Sequence, residues 1–374
     1  MALVVGVVGL GAMGSMTALE LVLRGHRVIG FDRFRPPHAF GSSTGKTRII
    51  REAYFEHPLY VPLVQRAYER WDALERDGPG PGSLLLRTGG LMIGPPGQRL
   101  VSGARTSALE HGLVFEELSP ADMHRRFPRF HLGQSECAIW EPRAGVLYPE
   151  VAIASALTRA VGAGAELHFG EAVREWKSGT DLRLQTDAET YRVDRVILTA
   201  GAWMATELPR IRLPLTVARQ ALFWFAGGQG AGGAGPAELP IFIWEWEPER
   251  MFYGFPDLGD GVKVAIHHEG TAVSPGDERQ EADPREAEPL LEALSSRIPG
   301  LGPVREATTC LYTNTPNGDF LIDRHPDDER VVLASPCSGH GFKFAPALAE
   351  VLADLVEAKS PGFDLRPFRL DRFV

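Results

Sequence analysis

Residues 4–32 read VVGVVGLGAMGSMTALELVLRGHRVIGFD. The apolar run Val4–Val8 predicts a strand, the residues up to Leu23 have the pattern of a helix, and a second apolar run ends in Asp32. A glycine-rich turn joins the first strand to the helix. Strand, glycine-rich turn, helix and second strand with a terminal acid are the parts of a dinucleotide-binding βαβ unit, in the order that this unit requires.

The glycines of the turn have separate roles in such a unit. Gly9 allows the tight turn, Gly11 lets the backbone approach a pyrophosphate, and Gly14 lets helix and strand pack closely. The helix N-terminus, with its unpaired N–H groups, then faces the phosphates, and Asp32 is placed to bind the adenosine ribose. The unit predicts a bound dinucleotide and leaves open whether it is FAD or NAD.

Composition indicates a globular chain that is long enough for two domains. Of its 374 residues, 44% are hydrophobic and 23% are charged, and the net charge is −9 at pH 7. This acidic balance argues against nucleic acid or an acidic membrane surface as a partner. Neither a membrane-spanning run nor a secretory signal is found, so a cytoplasmic protein is expected. Three cysteines without a CxxC pair predict no disulfide framework and no metal site.

Beyond the first unit, helical patterns alternate with strand-rich insertions. Helices are predicted at residues 58–76, 149–164, 283–298 and 346–358. Strands are predicted at residues 84–93, 166–169, 182–186, 195–199, 221–225, 241–246, 251–255 and 262–267. The runs 166–169 and 182–186 are expected to pair with each other. The glycine-rich stretches 77–83 and 226–236 are expected to be connections.

Two arginines lie shortly after the first unit, in the segment GSSTGKTRIIREAY at residues 41–54. Arg48 and Arg51 are three residues apart, so at helical spacing both side chains can face one side. Arginine suits the bidentate recognition of a carboxylate. The alternative is a solvated pair of arginines on the surface.

A second strand-to-helix turn lies near the C-terminus, in the segment VVLASPCSGHGFKF at residues 331–344. A strand that ends in a glycine-rich turn, here with Gly339 and Gly341, directs backbone N–H groups at a ligand. Lys343 opens the helical turn that follows. The alternative is an ordinary connection with a lysine in solvent.

The chain resembles the monomeric sarcosine oxidase family of FAD-dependent amine oxidases, within the larger D-amino-acid-oxidase-like group of flavoproteins. Besides the N-terminal unit, the resemblance is carried by the motifs TRIIREAY (47–54), TAGAW (199–203), YGFP (253–256), KVAIH (263–267), CLYT (310–313) and SGHGFKF (338–344). It implies a monomeric oxidase that uses O2 and converts sarcosine to glycine, formaldehyde and H2O2. N-methyltryptophan, pipecolate and a glycated amino acid are alternative substrates.

The resemblance also implies roles for individual residues. Cys310 matches the cysteine that binds FAD covalently, and Arg48 matches an arginine beside the flavin ring. Arg51 and Lys343 match the pair that binds the substrate carboxylate, and Lys263 matches the lysine that activates dioxygen. Taken by themselves, Cys310 also fits a buried structural thiol, and Lys263 also fits an exposed lysine on an alternating strand.

Further positions complete the implied site. His267 matches a substrate-side histidine and shares a strand face with Lys263 by the period of two. Tyr253 and Tyr312 match active-site tyrosines, and Trp203 is expected to pack near the cofactor. The other residues expected to contact FAD are Thr47, Gly201, Gly339, Gly341 and Lys343.

Some positions depart from the family pattern. Thr44 and Lys46 stand where the family often has histidine and aspartate, and Pro336-Cys337 replaces a glycine–aromatic pair. Two other classes of function share part of the pattern. An NAD(P)-dependent dehydrogenase would have the first βαβ unit without the CLYT and SGHGFKF motifs, and a non-catalytic flavoprotein would bind FAD without producing peroxide.

The expected fold class is α/β plus α+β. A Rossmann-like FAD-binding domain is predicted at residues 1–84, 145–213 and 311–374. An inserted substrate domain, built on an antiparallel or mixed β-sheet, is predicted at residues 85–144 and 214–310.

Overall fold

The computed structural model describes residues 2–78, 83–205, 211–227, 234–278 and 280–373. Within these ranges the α-helices are α1 (Ala12–Leu23), α2 (Val61–Asp77), α3 (Arg99–Glu110), α4 (Pro120–Arg126), α5 (Pro149–Gly162), α6 (Glu288–Ser295) and α7 (Ala345–Val356). Among these described helices, none has both the length and the apolar composition that a membrane crossing requires. Parts of both predicted glycine-rich connections, residues 79–82 and 228–233, lie outside the described residues.

The strands are numbered in chain order over the same ranges. The first ten are β1 (Val4–Val8), β2 (Arg27–Asp32), β3 (Arg48–Ile50), β4 (Leu85–Arg87), β5 (Gly90–Gly94), β6 (Glu116–Leu118), β7 (Cys137–Glu141), β8 (Gly145–Leu147), β9 (Glu166–Phe169) and β10 (Val173–Lys177). The others are β11 (Leu182–Thr186), β12 (Thr190–Val193), β13 (Arg195–Leu198), β14 (Thr216–Phe225), β15 (Ile241–Glu247), β16 (Arg250–Phe255), β17 (Val262–His267), β18 (Thr271–Ala272), β19 (Val304–Asn314), β20 (Leu321–His325) and β21 (Asp328–Ser335).

A six-stranded sheet contains the predicted βαβ unit. Its order is β20-β21-β13-β1-β2-β9, parallel except at the β20 edge. Alternate residues of its apolar strands face opposite layers. Ile197 packs in the core that contains α1, α2, α5 and α7, whereas its neighbours Val196 and Leu198 pack with Trp176 of the small antiparallel sheet β10-β11-β12. The sheet is therefore covered on both faces, as a parallel sheet requires.

A second, nine-stranded sheet is mostly antiparallel. Its order is β18-β14-β17-β16-β15-β5-β7-β6, with β19 along the other side of β14 and a parallel pair at β5 and β15. The predicted strand run 84–93 divides between this sheet and the small sheet β3-β8-β4. Gly89 makes this division possible, because it has φ +69° and any Cβ there would overlap the ring of Trp140.

The other predicted elements are present, with two differences. The predicted helices 58–76 and 283–298 each begin with a short 3-10 turn, at Pro58–Tyr60 and Pro284–Ala287. The expected pairing of residues 166–169 with 182–186 is wrong. Strand β9 follows the crossover helix α5 and extends the parallel sheet beside β2, whereas β11 pairs with its sequence neighbours β10 and β12. A crossover helix favours the parallel position, and short connections favour hairpins.

The domain limits remain a prediction. Every strand of the six-stranded sheet falls within residues 1–84, 145–213 and 311–374. Strand β19 crosses the predicted limit between residues 310 and 311, so this one strand runs from the nine-stranded sheet towards the predicted cofactor domain.

Candidate active site

A large cavity is lined by residues from both sheets. We name the first part the dinucleotide arm; it is lined by Gly9, Gly11, Asp32, Ser42, Gly201 and Trp203. We name the second part the catalytic end; it is lined by Arg48, Arg51, Tyr253, His267, Tyr312, Gly339, Gly341 and Lys343. The structure thus brings most of the predicted site residues, from well-separated parts of the chain, to one cavity.

The turn between β1 and α1 packs tightly against the protein at Gly9 and Gly14 but has free space beside Gly11, which lines the cavity. Gly9 has φ +91°, and a Cβ there would lie 2.6 Å from the Thr199 carbonyl oxygen. A Cβ on Gly14 would collide with the Gly9 carbonyl, which also accepts a hydrogen bond of 2.7 Å from Thr199 Oγ1. A Cβ on Gly11 would approach only Ser43 Oγ, at 3.9 Å. The turn therefore has the shape of a cradle for a pyrophosphate.

Polar groups of the dinucleotide arm fit a bound dinucleotide. The Asp32 carboxylate accepts backbone hydrogen bonds from Leu10 (2.8 Å) and Phe34 (2.9 Å), which fix its direction. An ionised carboxylate has about four acceptor positions, so capacity for ribose hydroxyls remains. Ser42 Oγ and Trp203 Nε1 are buried without a hydrogen-bond partner among the described residues. Buried polar atoms are nearly always paired, so both fit the polar atoms of FAD.

Arg48 fixes the loop that precedes it. Its Nη2 donates to the carbonyls of Ser42 and Thr44, both at 2.6 Å, and its Nη1 donates to the Thr47 carbonyl at 2.8 Å. The expected helical spacing of the two arginines is wrong, because Arg48 begins strand β3 and Arg51 directly follows that strand. Both nevertheless line the cavity, since the chain leaves the sheet after Ile50.

Lys263 is a buried cation held by neutral oxygens. It is 1% exposed, so the alternative of an exposed lysine on an alternating strand is wrong. Its Nζ donates to the Gly45 carbonyl (2.6 Å) and to Thr47 O (3.2 Å) and Oγ1 (3.1 Å). Burial, followed by the charge of Arg48, lowers the pKa of Lys263 well below its ordinary value. The three acceptors oppose that shift, because only an ammonium group has three N–H donors.

Gly14, Thr47, Lys263 and Cys310 lie behind the cavity wall rather than in it. Cys310 is 1% exposed and clusters with Trp224 and Tyr312, while the next residue along β19, Leu311, lines the cavity. The position of Cys310 is consistent both with attachment to a cofactor in the cavity and with a structural thiol.

Arg51 is 2% exposed, so the alternative of a solvated arginine is wrong. Its Nη2 donates to both Glu56 carboxylate oxygens, at 2.6 and 2.8 Å, and its Nη1 donates to the Ala53 carbonyl at 2.9 Å. Burial raises the pKa of Glu56, but the charge of Arg51, together with its hydrogen bonds and the other basic groups nearby, outweighs burial and lowers it overall. Glu56 is therefore ionised and lines the same cavity as Arg51.

Lys343 lies in a 3-10 turn before α7 and is 5% exposed, so the alternative of a solvent lysine is wrong. Its Nζ donates to the His340 carbonyl at 2.8 Å and lies 3.4 Å from Tyr54 Oη. Burial, followed by the charge of Arg51, lowers the pKa of Lys343 to about 7. The lysine can therefore gain or lose its charge near neutral pH.

His340 fixes the turn that carries Lys343. Its Nε2 donates to the Gly318 carbonyl at 2.9 Å, and its Nδ1 therefore accepts from Tyr54 Oη at 2.5 Å. Burial lowers the pKa of His340 to about 4, so the ring is neutral at pH 7. The ring lines the cavity beside the Gly339 and Gly341 positions predicted from the sequence.

Two tyrosines and His267 form the remaining wall of the catalytic end. The hydroxyl of Tyr312 lies 3.5 Å from both Tyr253 Oη and His267 Nδ1. Burial raises the pKa of Tyr253 to about 12 and lowers the pKa of His267 well below its ordinary value, so both groups are neutral at pH 7. A Cβ on Gly339 would lie 2.5 Å from the Tyr312 ring, which leaves only glycine at this approach.

Sequence reasoning missed Tyr54, Glu56 and the contacts of His340. The available signal was an acid five residues after Arg51 and a histidine inside the predicted SGHGFKF turn. Among the departures, Pro336 and Cys337 line the cavity. Lys46 instead forms ion pairs with Glu306 (2.7 Å) and Asp260 (3.3 Å) at the surface.

Similarity to known proteins extends over nearly the whole chain. The sequence model of the family described as FAD dependent oxidoreductase matches residues 5–355. A monomeric sarcosine oxidase from Streptomyces avermitilis is 39% identical over 355 residues, which cover 93% of this chain and 92% of that protein. An N-methyl-L-tryptophan oxidase from Salmonella heidelberg is 32% identical over 374 residues, which cover 98% of each.

Solved structures agree in fold. NikD, described as an unusual amino acid oxidase essential for nikkomycin biosynthesis, is 25% identical with a TM-score of 0.84, covering 99% of this chain and 97% of its own. A glycine oxidase from Geobacillus kaustophilus is 20% identical with a TM-score of 0.82, covering 100% of this chain and 99% of its own, and shows likeness of fold alone.

Proposed function

The chain belongs to the family of FAD-dependent oxidoreductases, and we propose that it is an oxidase of N-methyl amino acids with sarcosine as its preferred substrate. Membership of this family excludes the NAD(P)-dependent dehydrogenase that the first βαβ unit left open. The observation that carries the proposal is the pair of buried basic side chains, Arg51 and Lys343, in the wall of one cavity. Two cations of different geometry suit a small carboxylate. A monomer remains the expected oligomeric state.

The overall reaction is sarcosine + O2 + H2O → glycine + formaldehyde + H2O2. FAD, when bound, accepts the two electrons that leave the N-methyl C–H bond and delivers them to O2. Arg51 and Lys343 hold the substrate carboxylate, which fixes the position of its N-methyl group. Glu56 already contacts Arg51 Nη2, so an incoming carboxylate competes with Glu56 for this guanidinium.

His267 and the two tyrosines are proposed to receive the substrate amine in its neutral form. A neutral amine has the lone pair that must assist loss of the C–H electrons. His267 is neutral at pH 7, and the buried tyrosine hydroxyls stay protonated. These groups add no negative charge that would favour an ammonium substrate. The neutral wall therefore supports the reactive form of the amine.

Lys263 is proposed to act on the dioxygen side. Reduction of O2 begins with the development of negative charge, and a buried cation stabilises such charge strongly. Arg48 adds a second positive charge beside Lys263. Neither residue needs to transfer a proton for this effect.

The first experiment is an anaerobic titration of the purified protein with sarcosine, followed by exposure to air. We expect the flavin absorbance to bleach and recover, with peroxide formed in proportion to turnover. N-methyl-L-tryptophan is the matched comparison, because a relative with that name is 32% identical. A higher kcat/KM for N-methyl-L-tryptophan would overturn sarcosine as the preferred substrate, and flavin without any turnover would favour the non-catalytic alternative.

Covalent attachment of FAD is tested at Cys310. We expect flavin to remain with acid-precipitated wild-type protein and to appear in the supernatant of Cys310→Ser, because serine lacks the sulfur that forms the proposed bond. Cys137→Ser is the control, since Cys137 is also a buried free cysteine but lies in a different core cluster. Equal release from wild type and Cys310→Ser would contradict the attachment.

The role of Lys263 is tested by Lys263→Met. Loss of the buried charge should slow reoxidation of the reduced protein by O2 about 100-fold or more, with a far smaller effect on anaerobic reduction by sarcosine. Lys46→Met is the control, because both ammonium groups lie about equally far from the Trp224 ring, at 5.0 and 5.3 Å, but Lys46 is 40% exposed. Stopped-flow absorbance measures both steps. A reoxidation rate of Lys263→Met equal to wild type would refute the role.

The charge of Lys343 predicts a pH dependence of carboxylate binding. With a pKa of about 7, Lys343 is cationic below pH 7 and neutral above it. The Kd of the holoprotein for propionate, a carboxylate without an amine, should therefore rise above pH 7 by up to about tenfold per pH unit. Lys343→Arg stays charged throughout and should flatten this rise. The same slope in both proteins would assign the titration to another group.

A further inference from the structure

Glu141 is a buried carboxylate with no part in the proposed reaction. It ends strand β7 and is 1% exposed. Its Oε1 accepts a hydrogen bond from Glu52 N at 2.7 Å, and its Oε2 accepts one from Ala53 N at 2.8 Å. These two N–H groups belong to the two residues that directly follow Arg51. Each carboxylate oxygen therefore binds one of two consecutive backbone donors.

The Arg51 side chain also contacts this short segment, which consists of Arg51, Glu52 and Ala53. Arg51 Nη1 donates to the Ala53 carbonyl at 2.9 Å. Strand β3 ends at Ile50, so the backbone after it has left the sheet, and Glu141 supplies acceptors that a neighbouring strand would otherwise provide. The direction in which the Arg51 side chain leaves this turn thus depends on the Glu141 carboxylate.

We propose that Glu141 is a positioning residue for Arg51 and thereby for recognition of the substrate carboxylate. This inference rests on the proposed function, since it assigns Arg51 to a carboxylate ligand. Glu141 itself does not line the cavity and does not touch the substrate. Its two short hydrogen bonds fix the backbone of Glu52 and Ala53, and the Ala53 carbonyl in turn accepts from the Arg51 guanidinium. The guanidinium is thereby positioned before the ligand arrives, which reduces the ordering cost of binding.

The protonation state of Glu141 adds a measurable consequence. Burial is the largest cause that raises the pKa of Glu141, and the charge of Glu52 also raises it. The two backbone N–H groups and the charge of Arg51 oppose the rise, and the resulting pKa is about 7. Glu52 in turn faces Arg143 and Arg87. A protonated carboxyl group has lost one of its two good acceptors, so one of the N–H groups loses its partner. Carboxylate affinity should therefore fall as the pH drops below 7.

The test compares Glu141→Gln with Glu245→Gln in the holoprotein. Glu245 is a matched control, because it is also 1% exposed and accepts two backbone N–H bonds, from Leu100 (2.8 Å) and Glu249 (3.2 Å), without holding Arg51. The probe is propionate, with its Kd measured from the flavin absorbance between pH 5.5 and 9. The kcat and KM for sarcosine are measured in parallel.

We expect Glu141→Gln to raise the propionate Kd and the sarcosine KM by tenfold or more, with kcat changed less than threefold. It should also abolish the loss of affinity below pH 7. Glu245→Gln should keep the wild-type Kd and pH profile. Glu52→Gln should retain the loss of affinity at acid pH, displaced to lower pH because Glu52 no longer raises the pKa of Glu141. Glu141→Asp is the second variant, for the case in which Glu141→Gln does not fold. Because it retains a carboxylate, it should still lose propionate affinity below pH 7, but from a higher Kd than wild type.

Two results would overturn the inference in distinguishable ways. The positioning role would be removed, with the proposed function intact, if Glu141→Gln kept the wild-type propionate Kd, sarcosine KM and loss of affinity below pH 7. It would also be removed if Glu245→Gln lost as much affinity as Glu141→Gln. A wild-type holoprotein that binds no propionate at any pH would remove carboxylate recognition itself, and the inference would fall with it.

Discussion

The charges of Arg51, Lys263 and Lys343 are almost entirely removed from water, at 2%, 1% and 5% exposure. Burying an unpaired charge costs several kcal/mol, and the structure answers this cost in three ways. Arg51 is paired with the carboxylate of Glu56, Lys263 is surrounded by neutral oxygen acceptors, and the pKa of Lys343 falls to about 7. Basic groups that are buried in this way favour anionic ligands and developing negative charge.

Two of these charges depend on the backbone around β3, because Arg51 directly follows this strand and Lys263 donates to the carbonyls of Gly45 and Thr47 before it. On one side of the strand, Glu150 Oε1 accepts from the N–H groups of Gly45 and Lys46, at 2.9 and 3.0 Å. On the other side, Glu141 accepts from the two residues after Arg51. Gly45, with φ +110°, then directs its carbonyl at Lys263. Two carboxylates from distant elements thus fix the two ends of one segment, and that segment carries both arginines of the site.

The sequence predicts the βαβ unit well because the signals for β1, the turn, α1 and β2 all lie within 29 consecutive residues, 4–32. Most of the site residues that the resemblance names line one cavity. The resemblance does not reveal that Arg48 lies on a strand or that Glu141 supports Arg51. Glu141 and Glu52 are 89 positions apart, so their contact depends on how β7 meets the chain after β3. The local sequence gives one indication of this contact, which is the glutamate that ends the apolar run CAIWE at residues 137–141.

The shared contacts of these groups also decide how their contributions combine. Arg51, Glu56, His340 and Lys343 influence one another's charge, and Tyr54 joins the last two through hydrogen bonds. Groups in one network have coupled free energies, so the effects of single substitutions do not add. Removing Glu56, for example, frees Arg51 for a ligand but also leaves a buried guanidinium without its counter-charge. The affinity of this site is therefore a property of the whole cluster, set by the backbone that positions it, and cannot be divided among its members.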